Sequence, residues 1–98
     1  MFKIEFAEDG NIVCAGRLDA AQTRVAEAFL DSVSEPAVMD CSGLEYISSA
    51  GLGALLKTQK RLMAVGGGLK LVKVNNHVGD IFKYAGFDRI FEIEAAEG

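Results

Sequence analysis

Apolar segments and helical patterns alternate after Pro36, and this alternation constrains the fold more than any other feature of the chain. In chain order, these segments and patterns predict a strand at 37–39, a helix from about 49 to 65, a strand at 69–74, a helix at about 78–85 and a strand at 90–93. The first of these strands is a nearly continuous apolar run, which is typical of a strand covered on both faces. Strand–helix–strand units favour parallel pairing with right-handed connections.

The residues before Pro36 predict an antiparallel hairpin and a first helix. Residues 2–6 alternate apolar and charged side chains, residues 8–11 are turn formers, and residues 12–18 resume an extended pattern. We expect Asp19 to cap the helix that follows. Its apolar face is predicted to comprise Ala21, Val25, Ala28, Phe29 and Val33. The whole pattern predicts an α/β fold, a mixed sheet of about five strands with an N-terminal hairpin and three or more helices packed against it.

Length and charge narrow the class of protein. A chain of 98 residues fits one domain, here residues 1–98. The net charge is −4 and the basic residues are scattered, which argues against direct binding of nucleic acid. No apolar run approaches the roughly 20 residues that cross a bilayer, and the first residues lack the pattern of a signal peptide. We therefore expect a cytoplasmic protein with no membrane insertion.

The sequence predicts no metal centre, no cofactor and no enzyme active site. Cys14 and Cys41 lie in apolar segments without a histidine nearby, so we expect buried free thiols. His77 is the only histidine, and the sequence offers it no nucleophile to activate, so we expect a solvent-side residue at a helix entry. The glycine-rich stretches 51–53 and 66–68 lack the pattern of a phosphate-binding loop.

Residues 40–53 carry the strongest functional signal, because they join a strand to a helix through a loop that ends in Ser48 and Ser49. A helix N-terminus presents unpaired N–H groups and a partial positive charge. A serine there is an ordinary cap, and the same groups would stabilise a phosphate attached there. Gly51 and Gly53 each disfavour a helix by about 1 kcal/mol relative to alanine. The absence of a side chain at these two glycines therefore allows either close packing or the approach of a partner.

Residues 48–52, Ser-Ser-Ala-Gly-Leu, follow Asp40 and a loop, and this arrangement resembles the signature of the STAS family, named for sulfate transporters and anti-sigma factor antagonists. Residues 16–19 resemble the Gly-x-Leu-Asp turn of the family, and residues 75–91 resemble its last helix and strand. The resemblance covers almost the whole chain and implies the STAS fold. It also implies phosphorylation at Ser49, the second serine of the motif. The family's common aspartate is Ser48 here, which leaves Ser48 as an alternative acceptor.

The resemblance further implies the function of an anti-sigma factor antagonist. Such a protein binds an anti-sigma factor serine kinase of the histidine-kinase-like ATPase fold and displaces the sigma factor. Phosphorylation releases the antagonist, and a metal-dependent serine phosphatase resets it. The implied partner surface consists of Asp19, Ser48, Ser49, Gly51 and Leu52. Asp19 has an equally good interpretation as a helix cap.

Two other functions stay open from the same resemblance. A STAS domain can be a regulatory subunit of a transporter ATPase that is never phosphorylated, and it can be a module that senses a small ligand. Phosphorylation mapping separates the first function from these two.

Overall fold

The hairpin and the crossover units form one mixed sheet in the computed structural model, which describes residues 1–97. The elements are β1 (Phe2–Phe6), β2 (Ile12–Leu18), α1 (Thr23–Leu30), β3 (Ala37–Ile47), α2 (Ser49–Met63), β4 (Leu69–Val74), α3 (Asn76–Tyr84) and β5 (Glu92–Ala95). The strands follow one another across the sheet in sequence order. β1 is antiparallel to β2, and the remaining neighbours are parallel. The predicted fold is confirmed.

β3 is much longer than the predicted strand at 37–39, and the prediction that the chain leaves this strand for a loop directly after Met39 is wrong. β3 pairs with β4 only as far as Asp40, but it continues along β2 to Ile47. Two register shifts interrupt the pairing of β2 with β3. Because of these irregularities, Cys41, Leu44 and Ile47 are all buried although they are three residues apart.

The buried face of this segment agrees with the predicted one only in part. Val33 is buried and Phe29 is partly buried, as predicted, whereas Val25 is 50% exposed and Ala21 and Ala28 are exposed. The buried residues of α1 itself are Ala26 and Leu30. Asp19 does act as a cap, but for a 3-10 turn at Ala20–Gln22 that precedes the α-helix. This extra turn rotates the helix relative to one that begins directly after Asp19.

The C-terminal boundaries also differ from the prediction. α3 begins at Asn76, two residues early, and ends at Tyr84. Gly86, with a φ of 76°, lies just beyond it and leads into the next turn. A 3-10 turn at Phe87–Arg89 then displaces the last strand to Glu92–Ala95, instead of 90–93. Phe87 stacks on Phe82 at 5.5 Å between ring centres and packs in a tilted arrangement against Phe91 at 4.8 Å, and these contacts hold the turn in the core.

The three helices cover one face of the sheet and leave the other face open. The cross-strand row Ile12, Met39 and Leu71 is buried in a single core that includes side chains from all three helices. The neighbouring row, Val13, Asp40 and Val72, points to the opposite face and is only partly buried. Partly buried Val38 shows that the apolar run at 37–39 is not covered on both faces as predicted.

The carboxyl ends of β2, β3 and β4 lie at the same edge of the sheet, because these strands are parallel. All three α-helices follow one of these ends, so the segments that lead into them share that edge. We call it the carboxyl edge. It brings together Asp19, the two serines at 48 and 49, and Asn75 at the entry to α3.

Candidate functional site

Ser48 is the N-cap of α2. Its backbone is extended, and its Oγ accepts a hydrogen bond from the Gly51 N–H at 3.2 Å. The Ser48 N–H donates to the Leu18 carbonyl at 2.9 Å. Both the side chain and the main chain of this partly buried residue are therefore engaged in holding the helix start on the end of β2.

Ser49 is the first residue of α2 and its side chain is exposed. The first turn of α2 contains no acidic residue, whereas Lys60 and Arg61 lie in its last turn. The positive end of the helix dipole at Ser49 is consequently not compensated by a carboxylate of that turn. An anion attached to the Ser49 hydroxyl would lie in a favourable field.

Gly51 is buried where α2 passes closest to β2. A Cβ atom built on it would lie 2.8 Å from Cγ1 of Ile47, 2.9 Å from Cγ of Leu18 and 3.1 Å from the Leu18 carbonyl oxygen. Close packing, one of the two interpretations of this glycine, therefore accounts for it. Gly53 is different, since it is exposed and a Cβ there would meet nothing within 4 Å.

Asp19 lies beside the start of α2, because the residue before it, Leu18, accepts the hydrogen bond from Ser48. Its carboxylate accepts the Gln22 N–H at 3.1 Å, and its carbonyl accepts the Thr23 hydroxyl at 3.1 Å. Leu52 is partly buried in the first turn of α2. The structure thus brings all five predicted surface residues together, with Ser49 the most accessible of them and Gly51 beneath the surface.

Arg17 and Tyr46 are neighbours of this site that sequence reasoning missed. They face one another across β2 and β3, one residue before Leu18 and Ile47. The Arg17 guanidinium lies 4.5 Å from the centre of the Tyr46 ring, a cation–π contact on the surface. Nothing in the sequence pairs them, because their contact depends on a strand register that contains a bulge.

Asp40 begins the predicted segment but does not belong to this site. Six residues of β3 lie between it and Ile47, a span of roughly 20 Å in a strand. Burial alone would raise the pKa of its carboxyl. The Ser42 N–H, 2.9 Å from Oδ1, and the Lys73 ammonium, 3.6 Å from Oδ2, outweigh that effect and lower the pKa below its ordinary value.

The cysteines and the histidine lie where they were predicted. Cys14 and Cys41 are buried free thiols on adjacent strands, and the neighbouring Cys14 thiol together with burial raises the pKa of the Cys41 thiol. His77 is exposed in the first turn of α3. Within residues 1–97, no cluster of three or more His, Cys, Asp or Glu side chains could hold a metal ion. Over the same residues, no helix has the length and apolar character to cross a membrane.

Comparisons with solved structures support the fold. A candidate anti-sigma factor antagonist from Thermotoga maritima superposes with a TM-score of 0.76 at 21% identity, over 95% of this chain and 85% of that chain. The unphosphorylated form of the anti-sigma factor antagonist SpoIIAA gives a TM-score of 0.75 at 22% identity, over 99% and 90% of the two chains. The phosphorylated form of SpoIIAA from Bacillus gives 0.68 at 21% identity, over 99% and 93%.

Sequence comparisons define the family. A protein of Bordetella bronchiseptica, BtrV, whose name assigns it as a candidate anti-sigma factor antagonist, is 35% identical over 91 residues. The match covers 87% of this chain and 78% of BtrV. A family model described as "Mlab, STAS domain" matches residues 5–93, which contain β2, β3, β4, the serine pair and all three α-helices. The chain belongs to the STAS domain family.

Proposed function

We propose that this chain is an anti-sigma factor antagonist that is switched by phosphorylation of Ser49. Its partners are an anti-sigma factor serine kinase of the histidine-kinase-like ATPase fold and a metal-dependent serine phosphatase, and it acts in the cytoplasm. The observation that carries the proposal is the exposed hydroxyl of Ser49 at the first position of α2, beside a serine that already caps the helix. The name of BtrV, a 35% identical relative, supports the class of function.

The geometry favours Ser49 over Ser48 as the phosphoacceptor. Transfer of phosphate requires that the hydroxyl oxygen reach the γ-phosphate held by a kinase. The Ser48 oxygen accepts the Gly51 N–H and is partly buried, so its modification would remove the cap of α2. The Ser49 oxygen is exposed and can be modified while that cap remains.

A phosphate on Ser49 would change binding without refolding the protein. It adds about −1.5 to −2 charges at neutral pH to the surface formed by Asp19, Ser49 and Leu52. A partner packed against this surface would have to accommodate a charged, hydrated group beside a carboxylate. Loss of about 3 kcal/mol of binding free energy corresponds to more than a hundredfold weaker binding.

Phosphorylation mapping tests the acceptor. After incubation of the full chain with its cognate kinase, Mg²⁺ and ATP, we expect mass spectrometry to find one phosphate, on Ser49. The Ser49→Ala variant should stay unmodified, whereas Ser48→Ala should still be phosphorylated. A phosphate on Ser48 of the unaltered chain would contradict the assignment. The absence of any phosphate would favour the regulatory subunit of a transporter ATPase or the ligand-sensing module.

A binding measurement tests the switch itself. By isothermal titration, Ser49→Ala should bind the kinase as the unaltered chain does, and Ser49→Asp should bind more than a hundredfold more weakly. Asn76→Asp serves as a matched control, because it adds the same charge at the exposed first position of a different helix, α3, and should bind the kinase as the unaltered chain does. Equal affinity of Ser49→Ala and Ser49→Asp for the kinase would exclude a charge-controlled switch at this position.

A further inference from the structure

β1 is an edge strand, and its hydrogen-bonding pattern shows which main-chain groups point away from the sheet. The Ala7 N–H donates to the Asn11 carbonyl at 2.7 Å, and the Arg17 N–H donates to the Met1 carbonyl at 3.0 Å. In an antiparallel pair the residues that bond to the partner alternate. Residues 1, 3, 5 and 7 therefore bond towards β2, and residues 2, 4 and 6 direct their N–H and C=O groups outward.

The sequence of β1 is complementary to itself when two copies run antiparallel about Ile4. The strand reads Phe-Lys-Ile-Glu-Phe from residue 2 to residue 6. Lys3 then lies opposite Glu5 of the second copy, and Glu5 lies opposite Lys3 of the second copy. Phe2 lies opposite Phe6, and Ile4 lies opposite itself. Opposite charges and aromatic side chains are both favourable cross-strand pairs.

The main-chain groups that point outward from β1 are the ones that this register would bond. Phe2, Ile4 and Phe6 would form the hydrogen-bonded pairs, and these are the residues whose main-chain groups point outward. Lys3 and Glu5 would form the non-hydrogen-bonded pairs, in which Cα atoms approach to about 4.5 Å and side chains are closest. The next registers of the same phase place Lys3 opposite Lys3 or Glu5 opposite Glu5. Like charges directly opposite are destabilising, so the charges select one register.

Exposed apolar side chains lie along the same edge, on the face of the sheet that the helices cover. Phe6 and Val25 are each 50% exposed. The Phe6 ring lies 4.8 Å from the ring of Phe29, and Val25 is one turn before Phe29 on α1. Large side chains exposed next to unpaired main-chain groups are the features that edge strands of monomeric proteins avoid.

The opposite edge of the sheet lacks this complementarity. β5 is a strand of four residues that reads Glu-Ile-Glu-Ala, and Lys70 of β4 binds both of its glutamates. Antiparallel pairing of β5 about Ile93 would place Glu92 opposite Glu94 of the second copy. The acidic edge thus opposes self-pairing, and the β1 edge favours it.

We propose that β1 is a homodimer interface, through which two copies join their sheets antiparallel about Ile4. The two-fold symmetry makes the contact isologous, so the assembly closes at two copies. The pairing strand β1 does not contain the proposed switch residue Ser49. The centre of the pairing, Ile4, lies opposite Cys14 of β2, and Cys14 is four residues before the end of β2 at Leu18. The proposal is independent of the phosphorylation of Ser49.

Charge reversal provides the test, because Lys3 and Glu5 have side chains 70% and 49% exposed and can be changed without disturbing the core. Sedimentation velocity over a range of protein concentrations should show a monomer–dimer equilibrium for the unaltered chain. Lys3→Glu alone and Glu5→Lys alone place like charges opposite one another and should each weaken self-association about tenfold or more. Lys60→Glu, the same charge change at an exposed position of α2 away from both edge strands, should leave it unaltered.

A mixture of the two single variants provides the decisive test. An equimolar mixture of Lys3→Glu and Glu5→Lys pairs opposite charges again, so heterodimers should form about as readily as the dimer of the unaltered chain. The double variant Lys3→Glu with Glu5→Lys should likewise recover self-association. A chain that sediments as a monomer at every concentration would overturn the proposal. So would single variants that dimerise like the unaltered chain, or a mixture that does not recover.

Discussion

The starts of α2 and α3 are built almost alike. Each follows a parallel strand at the carboxyl edge, and each cap residue is extended, with φ and ψ of −85° and 171° for Ser48 and −72° and 167° for Asn75. Each cap oxygen accepts the N–H three residues later, at 3.2 Å from Gly51 and 2.8 Å from Val78. Neither helix has an acidic residue in its first turn.

They differ in what ties the helix start to the sheet. At α3 the Asn75 side chain caps the helix and also donates from Nδ2 to the Leu44 carbonyl at 2.9 Å. At α2 the tie is made by main chain, through the Ser48 N–H and the contact of Gly51 with Leu18. When backbone holds a helix start, the exposed side chain beside it is available for modification. The comparison therefore separates a scaffold position, Asn75, from a candidate switch position, Ser49.

The largest expected effect comes from filling the close contact at Gly51. Gly51→Ala places a Cβ within 3 Å of Ile47 and Leu18 side-chain atoms and should lower the free energy of unfolding by about 2–3 kcal/mol. Gly53→Ala is the matched control, because nothing lies within 4 Å and the helix gains propensity. It should raise the free energy of unfolding by about 0.5–1 kcal/mol in urea titrations. Similar effects of both changes would contradict the main-chain tie at α2.

Removing the caps should have a smaller and unequal effect. Asn75→Ala loses both the cap of α3 and the bond to Leu44, and we expect a loss of about 2 kcal/mol in the free energy of unfolding. Ser48→Ala loses only the cap of α2, and we expect a loss of about 1 kcal/mol. Urea titrations measure both.

Asn75→Asp refines this comparison, because the carboxylate keeps the cap but cannot donate to Leu44. Its stability should lie between that of the unaltered chain and that of Asn75→Ala. If Ser48→Ala proves as destabilising as Asn75→Ala, the two helix starts are held in the same way and the distinction between them fails.

The sequence was sufficient for features that depend on local periodicity and composition. The leucines of α2 at 3–4 residue spacing predicted the helix, the alternation in residues 2–6 predicted the first strand, and the serine at the α2 start predicted the cap. These features are decided within a few residues of chain, by helix dipoles, side-chain alternation and capping.

Features that depend on contacts between distant segments were not predictable. The extent of β3 depends on its bulged register with β2, and the buried face of α1 depends on an extra turn after Asp19. The role of Gly51 could be stated only as two alternatives, because the atoms that decide it belong to Leu18 and Ile47. The Arg17–Tyr46 pair was missed for the same reason.

The smallest expected effect compares the electrostatic fields of the two helix starts. Ser49→Asp and Asn76→Asp each place a carboxylate at the first position of a helix that has no acidic residue in its first turn. At low ionic strength each should raise the free energy of unfolding by about 0.5 kcal/mol. The dipole lowers the pKa of such a carboxyl in the folded state, so the gain should be present above about pH 4 and lost as the pH falls below it.

Thermal and urea unfolding above and below pH 4 measure this change in the free energy of unfolding. Ser49→Asn and the unaltered Asn76 are the neutral references. Equal gains at both helices would show that the α2 start accepts an anion as an ordinary helix N-terminus does. Loss of kinase binding by Ser49→Asp would then come from the surface and not from unfolding. A destabilised Ser49→Asp beside a stabilised Asn76→Asp would mean that the α2 start does not tolerate the charge that phosphorylation of Ser49 requires.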